Sequence, residues 1–193
     1  MFDTLLAGSI VSWAALGLME TTAPATTTRW AISLLHLTVA YAIVRRAPLG
    51  QMGSTRALVS SLPALVLAGV ALRLAAPLGT WSVFLEVAFL VGAALAIWTF
   101  LAMGESFAVL PARRDIVSHG PYRLVRHPAY AGELVMIFAC ALSHASVWSG
   151  LVLVAALPFV ALRIHAEERL LSSSELYRRY QMEVRSRLVP CLW

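Results

Sequence analysis

Six long apolar runs set the limits on what this chain can fold into. They cover about Leu5–Met19, Thr28–Val44, Ala57–Ala76, Trp81–Met103, Tyr130–Ser143 and Val147–Leu162. A helix of a soluble domain is apolar along one stripe, whereas helices apolar all round belong in a large core or a bilayer. With 193 residues, 60% hydrophobic and 13% charged, this chain has too little polar surface to wrap such a core. Soluble chains run at about 45–50% apolar and about 25% charged. The mean hydropathy of +0.77 agrees. The expected class is therefore all-α, a polytopic membrane bundle of about six spans. A full span takes roughly 17–25 residues, so the first, fifth and sixth helices should continue past their apolar parts. The sixth is expected to reach about Leu171. Pro63 and Pro158 fall inside runs and predict kinks.

Charge orients the bundle. All 15 cations are arginine and the net charge is +5. With the N-terminus inside, only Arg29 and Arg73 fall outside, and the other thirteen arginines fall on the cytoplasmic side. The cations lie between apolar spans rather than on one soluble face, which argues against a nucleic-acid partner. A membrane-lipid surface suits them better. The all-arginine bias suggests a GC-rich genome, and a bacterial inner membrane is the expected location. Met1-Phe2-Asp3 has no cationic stretch of the kind that opens a cleavable signal. Cys140 and Cys191 make neither a disulfide nor a metal framework.

Between the fourth and fifth runs lies Gly120-Pro121-Tyr122-Arg123-Leu124-Val125-Arg126-His127-Pro128-Ala129-Tyr130, with two Tyr, two Arg and a His in eleven residues. Proline restricts the residue before it and cannot extend a helix from upstream. The segment reads as a shaped loop that sets Pro128 in the first turn of a helix, where a missing N–H costs nothing. Arg163, Glu167 and Glu168 stand at the end of the sixth run, on the same predicted side. Arg163 and Glu167 are i, i+4 and share a face. Spacing alone leaves a simple ion pair and a ligand contact equally open.

Other polar groups weigh less. Glu86 and Glu133 lie in or near spans, where a carboxylate is costly and a functional candidate by default. Glu86 is near an outer end, and Glu133 is one turn past Tyr130. His36 and His144 are expected to be satisfied within the bundle or at its surface. The Gly104–His119 stretch should lie along the interface, with Phe107, Val109 and Leu110 dipping in. Ser172 and Glu175 form a capping-box pattern that predicts a last helix to about Arg185, with Leu176, Tyr180 and Val184 on one face. The domain reading is membrane spans over 1–103 and a second region over 104–193 that carries the interfacial segment, the helical hairpin and the last helix.

The loop motif, Glu167-Glu168 and the later Tyr177-Arg178-Arg179-Tyr180 together resemble the isoprenylcysteine carboxyl methyltransferase family, with phospholipid N-methyltransferases as broader relatives. The resemblance runs from Met103 to Pro190. It implies an integral-membrane methyltransferase that uses S-adenosylmethionine and acts on a lipophilic small molecule, a carboxylate being one acceptor. Implied cofactor contacts are Arg114, Asp115, Ile116, Val117, Tyr122, His127, Pro128, Ala129, Tyr130 and Glu167. Arg163 would pair with the acceptor, and Glu133 would line its path. An amine or hydroxyl acceptor would need a base, from Glu168 or Glu133. The chain departs from the family at Ser172-Ser173-Ser174, where an aromatic–Gly pair is usual, and at Glu133, where the residue is often apolar. Two other readings stay open: a sterol-reductase-like enzyme using NADPH, and a non-catalytic transporter or assembly protein.

The arginine asymmetry gives a direct expectation. A reporter fused after Ala76 should read as periplasmic and one fused after Trp193 as cytoplasmic. The opposite pattern would reverse the orientation.

Overall fold

The structure, a computed structural model, describes residues 2–19, 26–46, 55–107 and 115–193. These residues hold helices and no strands. The long helices are α1 Phe2–Met19, α2 Thr27–Arg45, α3 Thr55–Leu74, α4 Val83–Met103, α5 Pro128–Ser143 and α6 Val147–Leu171. A short amphipathic α7, Glu175–Glu183, follows. Each long helix covers one of the apolar runs. Two segments, Val83–Ser106 and Val147–Leu171, are long and apolar enough to cross a membrane by length and composition. α3 and α6 run through Pro63 and Pro158 without a break.

Caps fix several ends. Thr26 accepts from the Arg29 N–H, and Ser146 accepts from the Ser149 N–H, both at 3.2 Å. Pro128 takes the first helical position of α5, behind His127. The last helix starts later than the capping-box pattern predicts. Ser174 is its N-cap, whereas Ser172 turns back and donates to the Glu168 carbonyl at the end of α6. Its packing face differs too: Tyr177 and Tyr180 are buried and Leu176 is exposed. Val109 and Leu110 lie outside the described residues. Phe107 is buried edge-on against Phe100.

The packing is small inside and large outside. Ala139 and Ala156 are fully buried, whereas Val83 and Val147 are each 77% exposed. A soluble fold would bury the large residues first. In lipid the outer face can stay apolar, and small interface residues let backbones approach. α4 packs chiefly on α5, α1 on α2, and α3 on α6. The α4–α5 contact centres on Gly92 and Gly132. A Cβ on Gly92 would stand 2.7 Å from the Gly132 carbonyl oxygen, and one on Gly132 would stand 2.6 Å from that of Gly92. Near one end of this contact, Glu86 accepts from the hydroxyls of Thr27 and Thr28 on α2. A costly carboxylate is thereby satisfied.

Gly92→Ala should push α4 from α5 and cost about 1–3 kcal/mol, the usual range for overpacking. Gly69→Ala, with nothing within 4 Å of the new Cβ, is the control. Thermal unfolding in detergent should show a clear drop for the first and none for the second.

Candidate active site

The site is built where the 120–130 loop meets the ends of α6 and α7. Gly120 adopts a left-handed φ of 61° and opens a 3₁₀ turn, Gly120–Arg123, over the side chain of Trp98. The loop is then tied to the C-terminal segment by backbone. Arg126 N–H donates to Ser186 O and His127 N–H to Arg187 O, both at 2.9 Å. The Tyr180 hydroxyl donates to the Tyr122 carbonyl at 2.7 Å.

Beneath these ties sits one buried carboxylate. Glu168 accepts from Arg126 Nε at 2.9 Å on one oxygen and from Arg187 Nε and Nη2 at 3.0 Å on the other. His127 Nε2 lies 3.3 Å from the first of these oxygens. Arg126 also donates to the carbonyls of Val184 and Arg185. Arg126, His127 and Glu168 are all buried. Such a cluster is stable because each charge is paired and hydrogen-bonded; removing one member leaves the others desolvated and alone.

Glu167, the next residue, faces the other way. Its carboxylate accepts from the Tyr130 hydroxyl at 2.8 Å and lies 3.8 Å from His127 Nδ1. The His127 and Tyr130 rings stack at 5.6 Å, and the Arg163 guanidinium sits over Tyr130 at 4.8 Å. Arg163 also approaches Glu133 at 3.9 Å. Burial first, then the charge of Glu167 and the neighbouring Tyr180, push the Tyr122 phenol well above its usual pKa. It stays neutral and keeps its proton to donate.

These groups open onto a cavity of about 280 Å³. Its polar end is formed by Tyr122, Arg126, His127, Tyr130 and Glu167, with Ala129 beside them. Glu133 and Arg163 stand further along it. The walls below are apolar, from Leu35 and Val39 on α2, Ala68 on α3, Ala96 and Phe100 on α4, and Met136 on α5. Residues on both sides of position 103 thus build one space.

Of the residues singled out in the sequence, Tyr122, His127, Ala129, Tyr130, Glu133, Arg163 and Glu167 come together here. Pro128 is fully buried in the first turn of α5 and shapes the loop from behind. Asp115 and Ile116 line a different, open cleft against Ser174, Arg179 and Tyr180. Val117 lines neither, and Arg114 lies outside the described residues. Glu168 is absorbed in its arginine cluster. Sequence reasoning did not single out Arg187, which has no motif around it, and it read His36, which lines the cavity from α2, only as a satisfied bundle or surface histidine. Arg126 lay in the motif, but nothing local showed that it would reach Glu168, 42 residues on.

With this geometry in view, comparison with protein families is informative. The phospholipid methyltransferase family matches residues 81–179, from the start of α4 into α7. That is just over half of the chain, and the chain belongs to this family of isoprenylcysteine carboxyl methyltransferase-like integral-membrane enzymes. Membership defines it as a membrane-associated methyltransferase for lipid-like substrates. The match begins earlier than the motif resemblance, at Trp81, and ends before Arg187. No curated protein matches the chain.

Glu168→Ala would leave Arg126 and Arg187 facing each other unpaired, and should cost about 3–5 kcal/mol of stability. Glu167→Ala, at a half-exposed rim position, should cost far less. Chemical unfolding of the two variants in detergent provides the comparison.

Proposed function

We propose that this protein is an S-adenosylmethionine-dependent methyltransferase with six membrane spans and cytoplasmic termini, working at the cytoplasmic face of a bacterial inner membrane. The observation that carries the reading is a single cavity, lined by Tyr122, His127, Tyr130 and Glu167 at its polar end and by apolar side chains below, in a chain of this family. Residues 1–103 supply spans and the apolar walls, and 104–193 supply the polar end.

The polar end fits the chemistry of the cofactor. S-adenosylmethionine, when bound, supplies a methyl group already activated on a positively charged sulfur. Tyr122 is the aromatic face that would attract that cation, whereas the Tyr130 ring already carries Arg163 and His127. Glu167, held by the Tyr130 hydroxyl, is an acceptor for hydroxyl or ammonium donors. Arg126 and His127, on the same wall, are the groups to meet a carboxylate. Glu168 is a positioning residue: it holds Arg126 and His127 in place and has no free oxygen for acid–base work. Asp115 and Ile116 line the separate cleft against α7 and are given no cofactor contact in this reading.

The rest of the task is orientation and the exclusion of water. The acceptor's apolar body would lie between α2, α4 and α5, with its reacting group near Arg163 and Glu133. That order puts Glu167 about one helical turn, roughly 6 Å, above Arg163 along α6. The cofactor would occupy the loop side and the acceptor the membrane side.

Glu167→Ala and His127→Ala should each weaken S-adenosylhomocysteine binding by about 1–3 kcal/mol, the worth of a hydrogen bond to a buried or charged group. Calorimetric titration of the folded variants measures this, with NADPH as the competing ligand. Tight NADPH binding, or unchanged S-adenosylhomocysteine binding in both variants, would overturn the assignment.

A further inference from the structure

The membrane side of the cavity carries two polar atoms that the fold does not satisfy. Glu133 lies one turn of α5 below Tyr130, about 4.5 Å deeper. One of its oxygens is 3.9 Å from Arg163 Nη1. The other, Oε1, is buried and has no hydrogen-bond partner among the described residues. His36 stands at the middle of α2, outside the region the family matches, between this cavity and a second one lined by Arg29 and Ser33. Its Nδ1 is also buried and without a partner among the described residues. The expectation that the bundle would satisfy His36 therefore fails at this atom. A buried, unmet polar atom costs about 1–3 kcal/mol, so each is a place where a ligand's polar group would stabilise the protein. The surrounding wall, with Leu35, Val39, Ala96 and Met136, admits only an apolar body.

We infer that the molecule bound here is a neutral, hydroxyl-bearing lipid, with its O–H held by Glu133 beside Arg163 and with His36 as a second polar contact. The inference rests on the methyltransferase reading above, which makes this molecule the methyl acceptor. Hydrogen-bonding capacity and charge select the hydroxyl. An ammonium has only donors and would sit against the Arg163 guanidinium. A carboxylate has only acceptors and would sit against Glu133. A hydroxyl both donates and accepts, so it can meet Glu133 in either protonation state and His36 in either tautomer. It adds no charge to a site where Arg163 and Glu133 already offset one another. Glu133 is also placed to take the hydroxyl proton as the oxygen gains its methyl from the sulfonium. The products are then an ether, a neutral thioether and a protonated Glu133.

The test uses the full chain in phosphatidylcholine nanodiscs and four matched probes: dodecan-1-ol, 1-methoxydodecane, dodecanoate and dodecylamine. Thermal unfolding is followed against probe mole fraction. Dodecan-1-ol should half-saturate at a mole fraction about tenfold below the other three, the value of one hydrogen bond to a charged group. Glu133→Leu should remove that advantage, and Glu133→Gln, which keeps both a donor and an acceptor, should retain it. His36→Leu should reduce it. Equal or tighter binding of dodecanoate or dodecylamine to the wild type would overturn the inference, as would an alcohol advantage that survives Glu133→Leu. The wild-type ranking decides the matter even if the Leu variant folds poorly. S-adenosylhomocysteine titration of the same sample separates the two claims. Binding of the nucleoside without alcohol preference overturns the hydroxyl inference alone. Alcohol preference through Glu133 without nucleoside binding keeps the hydroxyl site and overturns its role as a methyl acceptor.

Discussion

The site depends on the buried carboxylate of Glu168. It gathers Arg126 from the loop, His127 from the start of α5 and Arg187 from the C-terminal segment onto the end of α6. A buried arginine and carboxylate are costly to desolvate, and only a complete set of partners offsets that cost; Arg187 joins them from a partly exposed position. Here each oxygen of Glu168 has an arginine partner, and Arg126 Nη1 also donates to the Val184 and Arg185 carbonyls. The consequence is geometric: with Glu168 turned inward, Glu167 is turned toward Tyr130 and the cavity. One carboxylate fixes the frame and its neighbour faces the space where a ligand would lie.

A second constraint sets the cavity's width. α4 and α5 approach until Gly92 and Gly132 touch backbone to backbone. In a bilayer no hydrophobic drive pulls helices together, so close packing of small residues must do so. The tight α4–α5 pair forms one wall, and α2 and α3 stand across from it with Leu35, His36, Val39 and Ala68. The cavity joins a charge-rich set of Tyr122, Arg126, His127, Tyr130 and Glu167 to walls that are mostly apolar. The unmet oxygen of Glu133 and nitrogen of His36 belong to residues that line it.

Much of this was legible in the sequence. A helix that is apolar all round can be read from composition, because its environment is written into every position. All six long helices appear where the apolar runs lie. The loop was legible because proline and glycine act on the backbone next to them: Pro128 takes the first position of α5, and Gly120 takes its positive φ. The i, i+4 relation of Arg163 and Glu167 also follows from helical geometry alone.

Tertiary structure decided which partner each polar group takes. Adjacent residues Glu167 and Glu168 look alike in sequence, yet one lines the cavity and the other is enclosed by Arg126, His127 and Arg187. Their difference comes from a 100° turn along a helix whose neighbours are set by distant segments. Arg187 lies 19 residues from Glu168, in a stretch with no motif, and only chain folding brings it there. The last helix likewise buries Tyr177 and Tyr180 rather than Leu176, with the Tyr180 hydroxyl held on the distant Tyr122 carbonyl. His36 reads as an ordinary mid-span histidine until α2 is packed on α4 and its side chain lines the cavity. Sequence determines what each segment must avoid, water or lipid. Which charges meet depends on distances across the bundle, which no local pattern encodes.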